Sequence, residues 1–368
     1  MHGFKAKHVP ALDGLRGLAI LLVITHHQLI PLSLNGGFLG VDLFFVLSGF
    51  LITTLLLSEF NATNAISLRN FYARRALRLG PALILYLLAC LAVAYHSEIS
   101  EWTREIKLVG IALLYSTNWR MAFGWDSAVD STSIIWSLSI EEEFYLLWPL
   151  LFFGCMLIKF KRSHIIAGLA FVVLSIMLHR YLLLRDGVAF TRLYYGTDTR
   201  ADAPLMGCLV ALLPGRFGVK GQTYLKASGI LCAACLICLI ATVHFTDQFL
   251  YQGGYTAIAV MAGVLTFSVA NASPRILVAL LEWRPLRWFG RISYGLYLWH
   301  WLLLKTTSFY DWVGYWDPWA RFVVSVGVAA LSFYAVERPF NNLKTKFAHI
   351  PETSDPAPRA VVIEAVAR

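Results

Sequence analysis

Apolar runs of about twenty residues recur along this chain, and the first of them carries charge that lipid does not tolerate. The stretch from Asp13 to His27, DGLRGLAILLVITHH, reads as a first membrane-spanning helix. Arg16 and His27 stand eleven residues apart. At about 100° per residue they fall within roughly 20° of one face, separated by about 16 Å along the axis. His26 points about 80° away from Arg16 by the same arithmetic. An Arg and a His on one face of LAILLVI are expensive in a bilayer unless that face looks into protein or a wet cavity. The alternative places Asp13 and Arg16 at the headgroups and the His pair at the far interface, with Arg16 snorkelling out of the apolar run. We take His27 as a working residue around which the chain builds a chamber.

Composition agrees with the runs. Hydrophobic residues are 58% and charged residues 14%, against roughly 25% charged in soluble domains, and the mean hydropathy is +0.63. The fold class expected is all-α, a polytopic membrane protein. Its net charge of +9 then reads as cytoplasmic loop bias rather than a nucleic-acid footprint. The first run holds the Arg–His pair and has no small-residue cleavage site after it, so no cleavable signal is expected. Cys232, Cys235 and Cys238 mimic a metal spacing, but ILCAACLICLIA is an apolar run without His or carboxylate, and they read as buried small side chains. No other metal spacing, nucleotide loop or nucleophile elbow occurs, and a metal-free reaction is expected.

Basic loops orient the spans. Span one covers about 11–30 and span two about 37–57; an Arg-rich loop follows, and span three, about 81–96, opens at Pro81. VGIALLYSTNW is too short to cross a core of about 30 Å. If it stays on the outer side, every main basic cluster falls on one side, as the positive-inside rule prefers. Further spans then lie at about 134–158, 164–184, 201–214, 225–245, 254–271, 292–309 and 320–336. That gives ten spans with both termini cytoplasmic: a membrane domain over 1–340 and a disordered cytoplasmic tail over 341–368.

Several constellations stand out. Arg74, Arg75 and Arg78 in FYARRALRLGP precede span three. Arg74 and Arg78 share a helical face, and clustered guanidinium forks suit phosphate oxygens, as they suit an ordinary lipid anchor. Glu141, Glu142 and Glu143 interrupt a run that otherwise reads as a span, so some must face a cavity or pair with Arg. Glu142, roughly 12 Å below the outer surface, lies at a depth comparable with His27, and the two would make a base and its orienter. Asp42 and Ser48 in GFLGVDLFFVLSGFLIT, Arg200 and Asp202 in GTDTRADA, and His300 in YLWHW are further polar intrusions. With Glu141 they are the candidates for binding substrate, although His300 reads equally well as a hydrogen-bonded packing residue.

These blocks resemble the integral membrane acyltransferase family 3, from about Ala11 to Phe340. LDGLRGLAILLVITHH is similar to its Arg-x10-His signature, on Arg16 and His27. GFLGVDLFFVLSGFLIT, FYARRALRLGP, WSLSIEEEFYLLWP, GRISYGLYLWH and the terminal ERPF resemble its other blocks, in order. The resemblance implies ten spans in a bacterial plasma membrane. It implies transfer of an acyl group, commonly acetyl, from cytoplasmic acetyl-CoA to a sugar hydroxyl of an extracytoplasmic glycan or glycolipid. By that analogy Arg74 and Arg78 contact the donor and His27 is the base. Larger members carry a hydrolase-like domain after the spans; none is expected in this chain, so any step that domain performs would be absent or supplied in trans. His27 would take the acceptor proton or carry the acyl group covalently. Arg16 would stabilise an oxyanion or bind phosphate. Lipopolysaccharide O-antigen or exopolysaccharide is the acceptor expected first. A proton-coupled transporter or flippase of a lipid-linked glycan, using His27 and the glutamates as a relay, is the alternative.

Overall fold

Where no water can satisfy backbone amides, a chain with these apolar runs closes its hydrogen bonds within helices. The computed structural model describes residues 8–27, 34–95, 99–126, 129–215, 218–272, 274–305 and 318–343, and these contain helices and no strand. In order they are α1 (Pro10–His27), α2 (Gly40–Thr63), α3 (Leu68–Tyr95), α4 (Ile99–Leu113), α5 (Thr117–Ala122), α6 (Trp136–Leu157), α7 (Arg162–Arg185), α8 (Phe190–Tyr195), α9 (Thr197–Arg200), α10 (Asp202–Ala211), α11 (Val219–Thr242), α12 (Tyr255–Asn271), α13 (Arg275–Leu281), α14 (Arg284–Lys305), α15 (Pro318–Ser332) and α16 (Arg338–Asn342). Single π-helical stretches, Leu250–Gly254 and Phe333–Glu337, lead into α12 and join α15 to α16.

Six helical segments among the described residues are long and apolar enough to cross a membrane: Asn35–Thr63, Leu68–Tyr95, Arg162–Arg185, Val219–Thr242, Leu250–Asn271 and Pro318–Asn342. The expected count of ten adds α1, α6 and α14, which carry ionisable groups, and the short α10. The polarity is inverted relative to a water-soluble protein. Large apolar side chains such as Leu151, Phe171, Leu231 and Leu331 face outward, while Asp42, Arg180, Arg200 and Asp202 are buried.

Two helix pairs approach through glycine. A Cβ on Gly290 of α14 would lie 1.9 Å from the Asp13 carbonyl of α1, and one on Gly17 would lie 1.9 Å from Leu286 O. Gly49 of α2 and Gly207 of α10 are engaged in the same reciprocal way, at 1.9 Å from Pro204 O and 2.1 Å from Val46 O. Without side chains between them the backbones touch, as expected where lipid offers no hydrophobic drive for association. The α1–α14 pair runs parallel, because residues 17 and 27 meet 286 and 300 in turn. That register brings His27 to His300.

Several boundaries differ from the sequence reading. Helix α3 begins at Leu68, and Pro81 lies inside it rather than at its start. The Arg-rich stretch that read as a loop is the polar first half of that helix, held by Glu59, which bonds Ser67 N and Arg74. Helix α14 likewise starts at Arg284, because basic residues hid its first two turns from an apolar count. Cys232, Cys235 and Cys238 lie on α11, half-buried or exposed rather than buried. Segment α4 ends in a turn at Tyr115, which has φ of 50°. Its fifteen residues reach about 22 Å, short of the core thickness, and it packs along α3. The tail assigned to 341–368 falls outside the described residues from 344 onward.

Candidate active site

Helix α1 carries the Arg16 and His27 spacing into the structure, with both side chains on the side that meets α14. His26 turns away: its ring packs edge-on to Phe38 and its Nδ1 lies 3.4 Å from Leu34 O.

At the Arg16 end two cavities meet. The inner chamber, about 100 Å³, is lined by Arg16, Ser48, Arg75, Arg78, Glu141 and Tyr297 among others. The second, a vestibule of about 310 Å³, is bounded by Asp13, Arg16, Arg78, Arg291, Glu337 and Asn341 among others. Arg16, Arg78, Leu79 and Tyr294 border both. Arg75 gives two nitrogens to Glu142, at 2.7 to 3.2 Å, and lies 3.0 Å over the Tyr145 ring. Arg74 pairs with Glu59 at 3.2 Å and lines neither cavity. Glu141 accepts from Ser48 at 2.8 Å and from Tyr145 at 3.4 Å. Arg16 and Arg78 form no ion pair or hydrogen bond with the described residues. Two guanidinium groups side by side at a cavity waist, without a direct ion pair among the described residues, suit an anion, with Glu141 and Glu337 on the same cavity walls. The vestibule wall opposite offers acceptors: Glu337 is 3% exposed, and its Oε1 and Asn341 Oδ1 have no hydrogen-bond partner.

The chamber closes toward the other end at Ser137 and Tyr297, whose hydroxyls lie 2.6 Å apart. Beyond Tyr297, 5.9 Å between ring centroids, stands His300. His27 Nδ1 lies 3.0 Å from His300 Nε2, with the rings within 4° of parallel. Trp301 meets the His27 ring edge-on at 5.1 Å and donates from Nε1 to Asp130 O at 2.9 Å. Asp130 is held by buried Arg120 at 2.8 Å, so the loop before α6 braces this wall.

The structure thus separates residues that the sequence grouped together, and His27, around which a chamber was expected, lines neither cavity but stands beyond the Ser137–Tyr297 end of the inner one. Glu142 is bonded to Arg75 and not to His27; α3 reaches it because that helix starts far earlier than its apolar half suggested. Glu143 accepts from Trp119 Nε1 at 2.8 Å and from the Thr197 hydroxyl. Asp42, Arg200 and Asp202 line neither cavity. Arg200 Nη2 donates to Asp42 at 2.8 Å, with its guanidinium 3.8 Å from the Tyr255 ring, and Arg180 pairs with Asp202 at 3.0 Å. All four charged groups are fully buried, and the network pins short α10 between α2, α7 and α12. Ser48 and Glu141 do line the chamber. Sequence reasoning missed Ser137, Tyr297, Glu337 and Asn341; a carboxylate at the end of the apolar run SFYAVE was the one available signal. Among the described residues no group of three or more His, Cys, Asp or Glu is placed to hold a metal.

Known proteins align with this arrangement over nearly its whole length. The chain is 36% identical over 354 residues to YrhL of Bacillus subtilis (strain 168), a peptidoglycan O-acetyltransferase by its provisional name, covering 90% of this chain and 55% of that one. It is 33% identical over 359 residues to the peptidoglycan O-acetyltransferase OatA of Listeria monocytogenes, covering 91% and 56%. It is 32% identical over 381 residues to the O-acetyltransferase OatA of Staphylococcus aureus, covering 98% and 62%. The chain therefore spans a little over half the length of these curated relatives. No solved structure matches it. Residues 9–338, which include the inner chamber, most of the vestibule and both histidines, match the family described as the acyltransferase domain, and the chain belongs to that family.

Proposed function

We propose that this chain is a membrane-bound acyltransferase that moves an acyl group, acetyl in the first instance, from acyl-CoA to a sugar hydroxyl of an extracytoplasmic glycan. One observation carries the reading: helix α1 carries Arg16, beside Arg78 of α3 and without a direct ion pair among the described residues, at one end and a paired histidine at the other. CoA bears phosphate charges on a long arm. Arg16 and Arg78 suit a phosphate group, Glu337 and Asn341 offer acceptors to N–H or O–H groups of the same donor, and the chamber points the arm toward Tyr297.

At the far end, His27 takes the proton of the acceptor hydroxyl as that oxygen attacks the thioester carbonyl. The tetrahedral adduct collapses, the carbon–sulfur bond breaks, and the CoA thiolate leaves with the proton that the imidazolium returns. Arg16, roughly 16 Å along α1 from His27, acts on donor phosphate rather than on the oxyanion. Arg75 and Arg74, each bonded to a glutamate, keep the fold in order around the site.

Two of the relatives are named for peptidoglycan, which we add to O-antigen and exopolysaccharide as a candidate acceptor, and all three present sugar hydroxyls. Radiolabelled acetyl transfer by the purified protein, with extracted surface glycan of the source cell as acceptor, tests the reading. His27→Ala at normal abundance is expected to lose about 10²–10⁴-fold in rate, while His26→Ala keeps substantial activity. An active His27→Ala protein sinks the mechanism. Mass spectrometry of wall and surface glycans, with and without the protein, identifies which one carries the acetate.

A further inference from the structure

Among the described residues no carboxylate orients the His27 imidazole, and a second histidine stands in that place. The side of each ring that carries hydrogen follows from its partners. His300 Nδ1 lies 2.9 Å from the carbonyl of Leu296, one turn earlier on α14. A carbonyl can only accept, so this nitrogen carries a proton. The neutral ring then presents a lone pair at Nε2, the atom 3.0 Å from His27 Nδ1. His27 must donate from Nδ1, which leaves its Nε2 without hydrogen and with a free lone pair. No hydrogen bond to His27 Nε2 is formed by the described residues, so that lone pair is available.

We propose that His300 is the positioning residue of the site: locked by the Leu296 carbonyl, it fixes the tautomer and plane of His27 so that Nε2 faces the acceptor hydroxyl. The inference rests on the reading of His27 as the base. The surroundings suit the task. His300 is fully buried, so its ring does not turn freely. Trp301 closes the side of His27, and the glycine contacts between α1 and α14 hold the two helices in the register the pair needs. The charged or titratable groups near the pair include His26 on α1 and Tyr297 and Lys305 on α14, and Lys305 Nζ lies 5.1 Å from the Trp301 ring. No carboxylate competes for His27 Nδ1 among the described residues. When His27 becomes an imidazolium during transfer, its Nδ1–H bond to a neutral acceptor strengthens, and this favours the charged form without a buried anion.

Two substitutions separate this role from plain packing. Glutamine sets an oxygen near the place of His300 Nε2 and can accept from His27; asparagine reaches only as far as Nδ1 and can serve Leu296. The assay is acetyl transfer from radiolabelled acetyl-CoA to extracted surface glycan, with the full chain in detergent. His300→Gln is expected to stay within about tenfold of the parent kcat, while His300→Asn falls by about 10²-fold with KM for acetyl-CoA unchanged. A structural role alone predicts the opposite order or no difference. Equal kcat for the two variants, or glutamine the worse, overturns the proposal. Nitrogen-15 histidine NMR of the unmutated protein reads the tautomers without any variant having to fold. Hydrogen on Nδ1 of both rings is expected; hydrogen on His27 Nε2 overturns the assignment. An active His27→Ala protein run beside them defeats the parent reading instead, so the two failures are distinct.

Discussion

Buried charges in this protein come in two kinds, and a single side chain shows which kind it is by what it touches. Asp42 and Arg200 are both fully buried and bonded to each other. Removing one partner strands the other, at a cost of about 3–5 kcal/mol. Asp42→Ala is therefore expected to lower the yield of folded, detergent-stable protein, read by size-exclusion chromatography and thermal unfolding. Arg78→Ala is expected to do the reverse, keeping the fold and weakening acyl-CoA binding, because Arg78 forms no direct ion pair with the described residues. Arg78→Lys should rescue only part of that affinity, since an ammonium lacks the guanidinium fork. Unchanged CoA affinity in Arg78→Ala returns that residue to a membrane-anchor role. Sequence could not tell the two kinds apart. Asp42, Ser48, Arg200 and Asp202 all read as polar intrusions in apolar runs, and the partner that decides their role sits in another helix, for Asp42 and Arg200 158 residues away.

Periodicity within one helix was legible; contact between helices was not. The shared face of Arg16 and His27 follows from eleven residues of one helix, so it could be read directly. His300 could not be attached to His27 from sequence, because only the parallel α1–α14 register joins them. That register depends on backbone contact, and a side chain cannot be added there by rotamer change alone. Gly290→Val is expected to push α14 from α1, since overpacking typically costs about 1–3 kcal/mol, and to lower activity more than acyl-CoA binding. Measuring both on the same preparation checks it: an unchanged rate in Gly290→Val means the pair tolerates separation. The helix starts went astray for a related reason. A count of apolar residues finds the lipid-facing length of a helix and overlooks its basic first turns, as at Leu68 and Arg284.

For the whole molecule, inverted polarity was the most legible property, and the direction of each crossing is the next to test. Reporter fusions at Arg162, Lys220 and Arg284 are expected to report cytoplasm and one at Trp125 the outside, because the basic loops then fall on one side. An external Arg162 would reverse every crossing from α7 onward. The placement of the two ends of α1 has a last consequence. A helix is stiff along its axis, so the span between charge capture and base is a fixed length of about 16 Å. With Arg16 capturing donor charge and His27 as the base, as proposed above, such a protein would work as a gauge that sorts donors by reach. An acetyl thioester on a short thiol has the same reactive carbonyl and nothing to span the gauge. It should react with a far higher KM than acetyl-CoA, and Arg78→Ala should erase most of the difference between them.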